Sequence, residues 1–218
     1  QSAAVLHNLA FIQWKLNNFL ESETLYRQAI STWEKTIGIH HPEAAGTLSN
    51  LAEHLVTIGN EEEAEELFRK ALAIKEKTMP ANDPGIAVTL SNFGLLLRIV
   101  GKYSEAERIL QRAITIAEKS LSTSHPWTRT SLHALGQVYY KMGKYSEAEK
   151  VFGRILNLEG KSPGIGTLCD LANLLAEMGK NSEAEKLFTQ VLTMVDDSHL
   201  WTSTILNAYG HLLYRLQR

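Results

Sequence analysis

The stretch "GKYSEAE" occurs at residues 101–107 and again at residues 143–149, 42 positions later. Seven identical residues at a fixed distance are typical of a repeated fold rather than of one site used twice. Gly in such a stretch suits the left-handed residue that ends a helix, and Ser followed three residues later by Glu fits a capping box. We therefore predict a helix-turn-helix signal in which Ser104 caps the second helix and Glu107 bonds back to the Ser104 amide. The pairs Ser146 with Glu149 and Ser182 with Glu185 repeat this pattern.

Six segments on either side of that signal can be aligned with one another, and their starts are 42, 42, 42, 36 and 38 residues apart. They are "VLHNLA" (5–10), "TLSNLA" (47–52), "TLSNFG" (89–94), "SLHALG" (131–136), "TLCDLA" (167–172) and "ILNAYG" (205–210). The second residue is always Leu and the last is always Ala or Gly, and a small residue at one fixed position lets a neighbouring helix approach closely. Each repeat is therefore predicted to be a pair of antiparallel helices, A and B, joined by a short turn. The turn glycines are Gly59, Gly101, Gly143 and Gly179.

A second signal precedes each helix A, where Pro42, Pro84, Pro126 and Pro163 suit the first helical turn. The residues before these prolines are predicted to be the N-caps. Asp83 and Ser162 are strong candidates, whereas His41 and His125 are weaker ones. The last junction has no Pro, and Asp197 or Ser198 is expected to take the capping role there.

The composition restricts the possible functions. The 22 basic and 24 acidic residues nearly cancel and form no basic run, which argues against nucleic acid as a partner. No apolar run reaches the ~18 residues of a membrane span. Cys169 is the only cysteine, which fits a reducing compartment and predicts a cytoplasmic location. Because the chain begins with Gln1, we expect it to be a fragment of a longer protein.

The repeat resembles the tetratricopeptide repeat (TPR), and the 42-residue period resembles the kinesin light chain class of that family. The fourth repeat carries the resemblance best, through Leu135, Gly136, Tyr139, Gly143, Tyr145, Ala148 and Phe152. The resemblance implies an all-α fold, a right-handed α-solenoid of stacked antiparallel helix pairs. Its repeats are expected at 5–46, 47–88, 89–130, 131–166 and 167–203, followed by an unpaired helix at 204–218. The first repeat departs most, with Asn17 in place of the turn Gly and Ser22 in place of Ala.

The family implies a non-enzymatic scaffold that binds a peptide segment or a protein domain in a concave groove formed by the A helices. The register predicts groove residues from every repeat: Asn8, Phe11, Trp14, Asn50, Glu53, Asn92, Leu95, Arg98, His133, Gln137, Tyr140, Lys141 and Asn173. Among them Asn8, Asn50 and Asn92 share one position, where an amide can bind the backbone of an extended peptide. The alternative is that each Asn bonds a neighbouring helix. Trp127 and Trp201 also share a position and are expected to pack over the preceding helix B.

A regulatory array is the alternative function. In that case the repeats belong to a larger effector, such as a protease, a nucleotide-binding switch or a motor-associated chain, and pack on its neighbouring domain. The partner is then another domain of the same protein.

Catalytic patterns are weak. The "GKS" at 160–162 lacks the Gly that a phosphate loop needs at Ile155, and the eight histidines form no HExxH motif or Cys/His cluster. Cys169 and His133 share a register position in adjacent repeats, but such positions lie ~10 Å apart in packed helices. We therefore expect no enzymatic activity, cofactor or metal.

Overall fold

The computed structural model describes residues 2–160, 162–195 and 202–215. Within those ranges the chain forms eleven α-helices and no β-strand. No helix in the same ranges is both long and apolar enough to cross a membrane. The helices are α1 (Ala3–Lys15), α2 (Phe19–Thr36), α3 (Pro42–Thr57), α4 (Glu61–Thr78), α5 (Pro84–Ile99), α6 (Tyr103–Ser120), α7 (Pro126–Lys141), α8 (Tyr145–Glu159), α9 (Ile165–Glu177), α10 (Asn181–Met194) and α11 (Thr202–Arg215).

The chain divides into two compact units, residues 1–128 and residues 129–218. In the N-terminal unit α1 packs on α2, α3 on α4 and α5 on α6, while α2 also contacts α3 and α4 contacts α5. In the C-terminal unit α9 packs on α8, α10 and α11. We call the odd-numbered helices A helices and the even-numbered helices B helices. The alternation of A and B helices is the predicted arrangement of helix pairs.

The turn between helices A and B has the backbone that the sequence predicts. Gly101 has φ of +78°, and the next amide, that of Lys102, donates to Leu97 O at 2.8 Å. Asn17 takes the same conformation in the first repeat with φ of +62°. Asn tolerates this region better than most residues with a side chain, so the missing Gly leaves the turn intact.

The predicted capping box at the start of the B helices is wrong. Helix α6 begins at Tyr103, its N-cap is Lys102, and no side chain caps it; α8 and α10 likewise begin after Lys144 and Lys180. Because the carbonyl of Lys102 accepts the first helical bond, from the amide of Ala106 at 2.9 Å, Ser104 already lies inside the helix. The same shift places Ser146 and Ser182 within their helices.

Three of the predicted caps before the A helices are confirmed. A side-chain oxygen of Asp83 accepts from the Gly85 amide at 2.7 Å, ahead of α5. The ring nitrogen Nδ1 of His41 accepts from the Glu43 amide at 3.2 Å, ahead of α3. His125 caps α7 through the same ring nitrogen. An imidazole can therefore replace the usual short polar side chain at this position.

The cap predicted at Ser162 is wrong. Helix α9 begins at Ile165 and its N-cap is Gly164, which offers no side chain. The carboxylate of Glu159, at the end of the preceding helix, accepts from the amide of Gly164 itself at 2.9 Å and so holds the start of α9 without capping its first turn. The caps predicted at residues 197 and 198 lie outside the described residues.

Small residues allow the two helices of a pair to approach closely, as predicted. A Cβ atom built on Gly94 would lie 2.5 Å from Cδ2 of Leu110, well inside van der Waals contact. Ser22, the exception in the first repeat, is buried, and its hydroxyl donates to Ala10 O at 2.9 Å. Its extra polar atom is therefore satisfied inside the helix pair.

Two helical glycines make a matched stability test. Gly94→Ala is expected to lower the free energy of unfolding by about 1–3 kcal/mol, because its methyl group overlaps Leu110. Gly46→Ala is expected to raise it by about 0.5–1 kcal/mol, because no atom lies within 4 Å of its Cβ and Ala favours the helix. Urea unfolding measures both, and a Gly94→Ala protein as stable as the parent would contradict this packing.

Candidate binding cleft on the A helices

The A helices of the N-terminal unit line a cleft of about 360 Å³. Five of the predicted groove residues line it: Phe11, Trp14, Asn50, Glu53 and Asn92. Trp127, which the sequence assigns to packing, lines it as well. Its counterpart Trp201 lies outside the described residues. We call this space the A-helix cleft.

One wall of the A-helix cleft is aromatic. The rings of Phe11 and Trp14 meet edge to face, with centroids 6.0 Å apart. The ammonium nitrogen of Lys15 lies 4.4 Å from the centroid of Trp14 and 5.1 Å from that of Phe11. These distances are within the range of cation–π attraction. The wall therefore already holds a positive charge of the protein itself.

A hydrogen-bond network at Asn50 joins the first two repeats. His7 lies between two partners, with its Nδ1 3.0 Å from Thr47 Oγ1 and its Nε2 3.3 Å from Asn50 Nδ2. Trp33 Nε1 donates to Thr47 Oγ1 at 3.0 Å, and that hydroxyl donates to Glu43 O. A neutral imidazole with its hydrogen on Nδ1 satisfies every bond. Burial lowers the pKa of His7, against the opposing effect of Glu43, and so favours this neutral form.

The carboxylate of Glu53 also lines the A-helix cleft. The side-chain amide of Asn92 donates to Glu53 Oε2 at 2.9 Å. Burial raises the pKa of Glu53, and the positive charge of Lys15 partly opposes the increase. In the described part of the chain no cation lies within ion-pairing distance of this carboxylate.

Two residues of the asparagine row, Asn50 and Asn92, make bonds between neighbouring A helices, which is the alternative that the sequence left open. Asn50 bonds to His7 of α1, and Asn92 bonds to Glu53 of α3. Asn8 is exposed on the first A helix and does not line the cleft. An amide has two N–H groups and one acceptor oxygen. Each bonded Asn lines the cleft and therefore keeps further bonding capacity beyond its one bond to a neighbouring A helix.

The repeat pattern does not reveal the role of the hydroxyl residue that begins four of the six aligned segments. Lys75 Nζ donates to Thr89 Oγ1 at 2.7 Å and to Gly85 O at 3.1 Å. Trp33 and Thr47, each 42 positions earlier, make the equivalent bond. Burial lowers the pKa of Lys75, with Asp83 opposing. In the N-terminal unit this hydroxyl joins α2 to α3 and α4 to α5, and a hydroxyl recurs at the aligned positions Ser131 and Thr167.

Two further predicted residues, Leu95 and Arg98, lie on α5 outside the A-helix cleft. Both side chains are half-buried. Nε of Arg98 is buried and has no hydrogen-bond partner among the described residues. The register places both on the expected helix, but the cleft does not extend to them.

The remaining groove candidates lie in the C-terminal unit. Gln137 Nε2 donates to Asp170 Oδ2 at 2.6 Å, and His133 Nε2 lies 3.2 Å from the same oxygen. Asp170 occupies the asparagine position and bonds the preceding A helix, as Asn50 and Asn92 do. Tyr140 contacts the ring of Tyr145 at 5.9 Å, Lys141 is exposed and Asn173 is half-buried.

Comparison with known proteins identifies the fold. Models described as tetratricopeptide repeat match residues 1–77, 85–158 and 165–195. The chain belongs to the tetratricopeptide repeat family. The predicted resemblance and the all-α array of stacked helix pairs are therefore confirmed. No curated protein sequence matches the chain.

Solved TPR structures agree with this assignment. A kinesin light chain-like protein of Podosopora anserina with nearly identical TPR-like repeats is 24% identical, with 87% of this chain and 92% of that chain covered and a TM-score of 0.77. BtubC (BKLC) from P. vanneervenii is 19% identical, with 86% and 77% covered and a TM-score of 0.76. Pseudomonas aeruginosa pilF is 20% identical, with 99% and 84% covered and a TM-score of 0.73. At these identities the similarity establishes the fold.

TPR arrays are generally scaffolds for protein interactions rather than enzymes. Cys169 of this array is buried, and burial, with a smaller effect of Asp170, raises its pKa to about 11. The thiol is therefore protonated at neutral pH, and His133 contacts Asp170 instead of activating it. Within the described residues no three His, Cys, Asp or Glu side chains are grouped as metal ligands would be. The cytoplasmic location stays a prediction.

A larger cavity of about 640 Å³ lies between the B helices α2 and α4 of the TPR array. Its apolar lining includes Ile30, Leu48, Leu51, Leu67 and Ile74. Glu34 and Lys70 also line it, and their counterparts 42 positions later, Glu76 and Arg112, form an ion pair between α4 and α6. We call it the B-helix cavity. It contains none of the predicted groove residues.

Proposed function

We propose that the A-helix cleft binds an extended peptide segment of a protein partner. One observation carries the proposal: helices from three consecutive repeats bring amide, carboxylate and aromatic side chains together around one open space. The family supplies the general role, since TPR arrays are generally protein-interaction scaffolds. The proposal concerns the surface, and it holds whether the segment belongs to another protein or to a longer form of this chain.

The dimensions of the A-helix cleft favour a strand-like segment over a folded domain. A volume of about 360 Å³ is near the lower end of ligand-binding pockets. Packed helices lie ~8–10 Å apart, and an extended chain advances ~3.3 Å per residue. Asn50 and Asn92 are therefore spaced to meet backbone groups about three residues apart along a bound segment.

The chemistry of the A-helix cleft also favours it over the larger B-helix cavity. An extended peptide carries unpaired N–H and C=O groups that lose free energy when buried without partners. The A-helix cleft offers Asn50, Asn92 and Glu53 to those groups. The B-helix cavity is lined by apolar and charged side chains and, among the described residues, by no Asn or Gln, so it lacks an amide that can both donate to and accept from a peptide backbone.

A blocking substitution tests this proposal. Gly46 lines the cleft, lies inside α3 and has no atom within 4 Å of its Cβ, so Gly46→Gln is expected to add a neutral side chain to the cleft wall. Gly153 of α8 is a matched control, because it is also a helical glycine with open space at its Cβ. Peptides selected from a displayed random library on the parent protein are expected to bind Gly46→Gln at least about tenfold more weakly.

The control variant Gly153→Gln distinguishes blocking of the cleft from a general effect of an added Gln side chain. Gly153→Gln is expected to bind the same peptides with unchanged affinity by isothermal titration calorimetry. Equal affinity of Gly46→Gln and Gly153→Gln would show that the selected peptides bind elsewhere and would reject the A-helix cleft as the binding surface.

A further inference from the structure

We propose that the A-helix cleft takes a lysine or arginine side chain of the bound segment, with the cationic group between the Trp14 indole and the Glu53 carboxylate. This inference rests on the proposed function and adds the chemistry of the partner. Three observations support it: the position of Lys15, the state of Glu53, and the distribution of the other charges in the cleft.

The side chain of Lys15 lies against the aromatic wall formed by Phe11 and Trp14. Its ammonium lies over both Trp14 and Phe11 and is the cation whose field acts on Glu53. The side chain is exposed and at the end of α1, and no hydrogen bond or ion pair recorded in the described residues holds it. The protein therefore shows, with its own residue, that this wall accepts an ammonium group. A partner cation would have to displace Lys15 from the rings, and the Lys15 ammonium would regain water when it leaves.

The negative charge of the Glu53 carboxylate is only partly offset by neighbouring groups. The side chain is half-buried and accepts one hydrogen bond, from the neutral amide of Asn92. Carboxylates that lose water are usually paired with a cation or with several hydrogen bonds. Burial raises the pKa of Glu53, and the positive charge of Lys15 opposes only part of that increase. A ligand cation would supply the missing partner.

The remaining charges of the cleft do not satisfy Glu53. The ammonium of Lys75 is directed to Gly85 O and Thr89 Oγ1. Glu43 lies at the edge of the cleft and adds a second negative charge. The lining holds two lysines and two carboxylates, but the ammonium of Lys75 is already hydrogen-bonded, so a basic side chain that replaces Lys15 would meet both carboxylates and two aromatic rings. The balance favours a basic ligand.

Two substitutions with opposite expected effects test the inference. Peptides selected from a displayed random library, and blocked by Gly46→Gln, are expected to share a Lys or Arg at one position. Lys15→Ala is expected to bind such a peptide about three- to tenfold more tightly, because the internal competitor is gone. Glu53→Gln keeps the acceptor for Asn92 and is expected to bind about tenfold more weakly, because the carboxylate charge is lost.

Controls separate this inference from the proposed function. Lys119→Ala removes an exposed lysine in the last turn of α6 and is expected to leave the affinity unchanged. Replacing the basic residue of the peptide with norleucine is expected to abolish the difference between the parent and Glu53→Gln. Circular dichroism melting of each variant confirms that the fold is retained.

The outcomes are distinct. Peptides that are blocked by Gly46→Gln but lack a shared basic residue, or share an acidic one, would overturn the inference and leave the proposed function standing. Weaker binding by Lys15→Ala would also overturn it, because Lys15 would then be part of the site. A library that yields no peptide blocked by Gly46→Gln would count against the proposed function itself.

Discussion

Phe93→Ala is expected to lower the free energy of unfolding by about 3–5 kcal/mol, because it removes a buried aromatic ring from the interface between the second and third repeats. Phe93 is only 1% exposed, and its ring stacks on that of the fully buried Phe68 with centroids 5.7 Å apart. The guanidinium of Arg69 lies 5.1 Å from the same ring. Because a repeat cannot bury its apolar face alone, loss of this contact weakens the N-terminal unit as a whole.

A conservative variant is the control for this loss. The aligned position holds Leu51, Leu135 and Leu171 in other repeats, all buried. Phe93→Leu is therefore expected to cost less than about 1.5 kcal/mol in urea unfolding, because Leu fills most of the volume. If Phe93→Ala and Phe93→Leu lost the same stability, the ring contact with Phe68 would not be the cause.

His54→Leu is expected to raise the free energy of unfolding at pH 7 by about 1–3 kcal/mol, because it removes buried polar atoms that lack partners. His54 is fully buried, and both its ring nitrogens lack a hydrogen-bond partner among the described residues. The rings of Trp14, Phe19 and Tyr26 surround it, with centroids 6.0 to 6.3 Å away. Leu96, Val138 and Leu174 occupy the aligned position in other repeats and are fully buried.

The same residue makes stability depend on pH. Burial lowers the pKa of His54 below its usual 6.5, while Glu23 opposes and Arg27 reinforces the shift. The unfolded chain therefore binds a proton at a pH where the folded chain does not. Stability is present above pH 6.5 and is lost as the pH falls through 6.5 towards the lower pKa of the folded state. Protonation would place a charge among three aromatic rings.

Urea unfolding at pH 7.5 and pH 5.5 measures this effect. The parent is expected to be less stable at pH 5.5, and His54→Leu is expected to show a smaller difference between the two pH values. The difference does not vanish, because burial also lowers the pKa of His7. His40→Gln, a change in an exposed loop residue, is the control and is expected to keep the full difference. An unchanged difference in His54→Leu would contradict this assignment.

The sequence predicts the repeat fold well because residues that a particular backbone geometry requires recur at fixed positions in the repeats. A left-handed residue is needed at the end of each helix A, and Gly101 or its equivalents recur there for that reason. The position of Gly94 holds Ala or Gly in every repeat, and at Gly94 itself no Cβ fits against Leu110. The burial of His54 could also have been predicted, since its aligned positions hold apolar residues in every other repeat.

The polar bonds between repeats could not be predicted from the same pattern. Ser104 lies in a good capping motif, but the helix begins at Tyr103 with Lys102 as its N-cap, two residues earlier than that motif predicts. The bonds of Asn50 to His7 and of Asn92 to Glu53 join different residue types at different register positions. Whether two such side chains form a hydrogen bond depends on their length and direction. A repeat pattern shows only on which helix each residue lies.

The most direct test of the central claim, that the A-helix cleft is the binding surface, is a crystal structure of the protein with a library-selected peptide. The proposal predicts an extended peptide across α1, α3 and α5, with backbone hydrogen bonds to Asn50 and Asn92 and a side chain against Trp14. A peptide seated in the B-helix cavity, against Ile30 and Leu67, would contradict it.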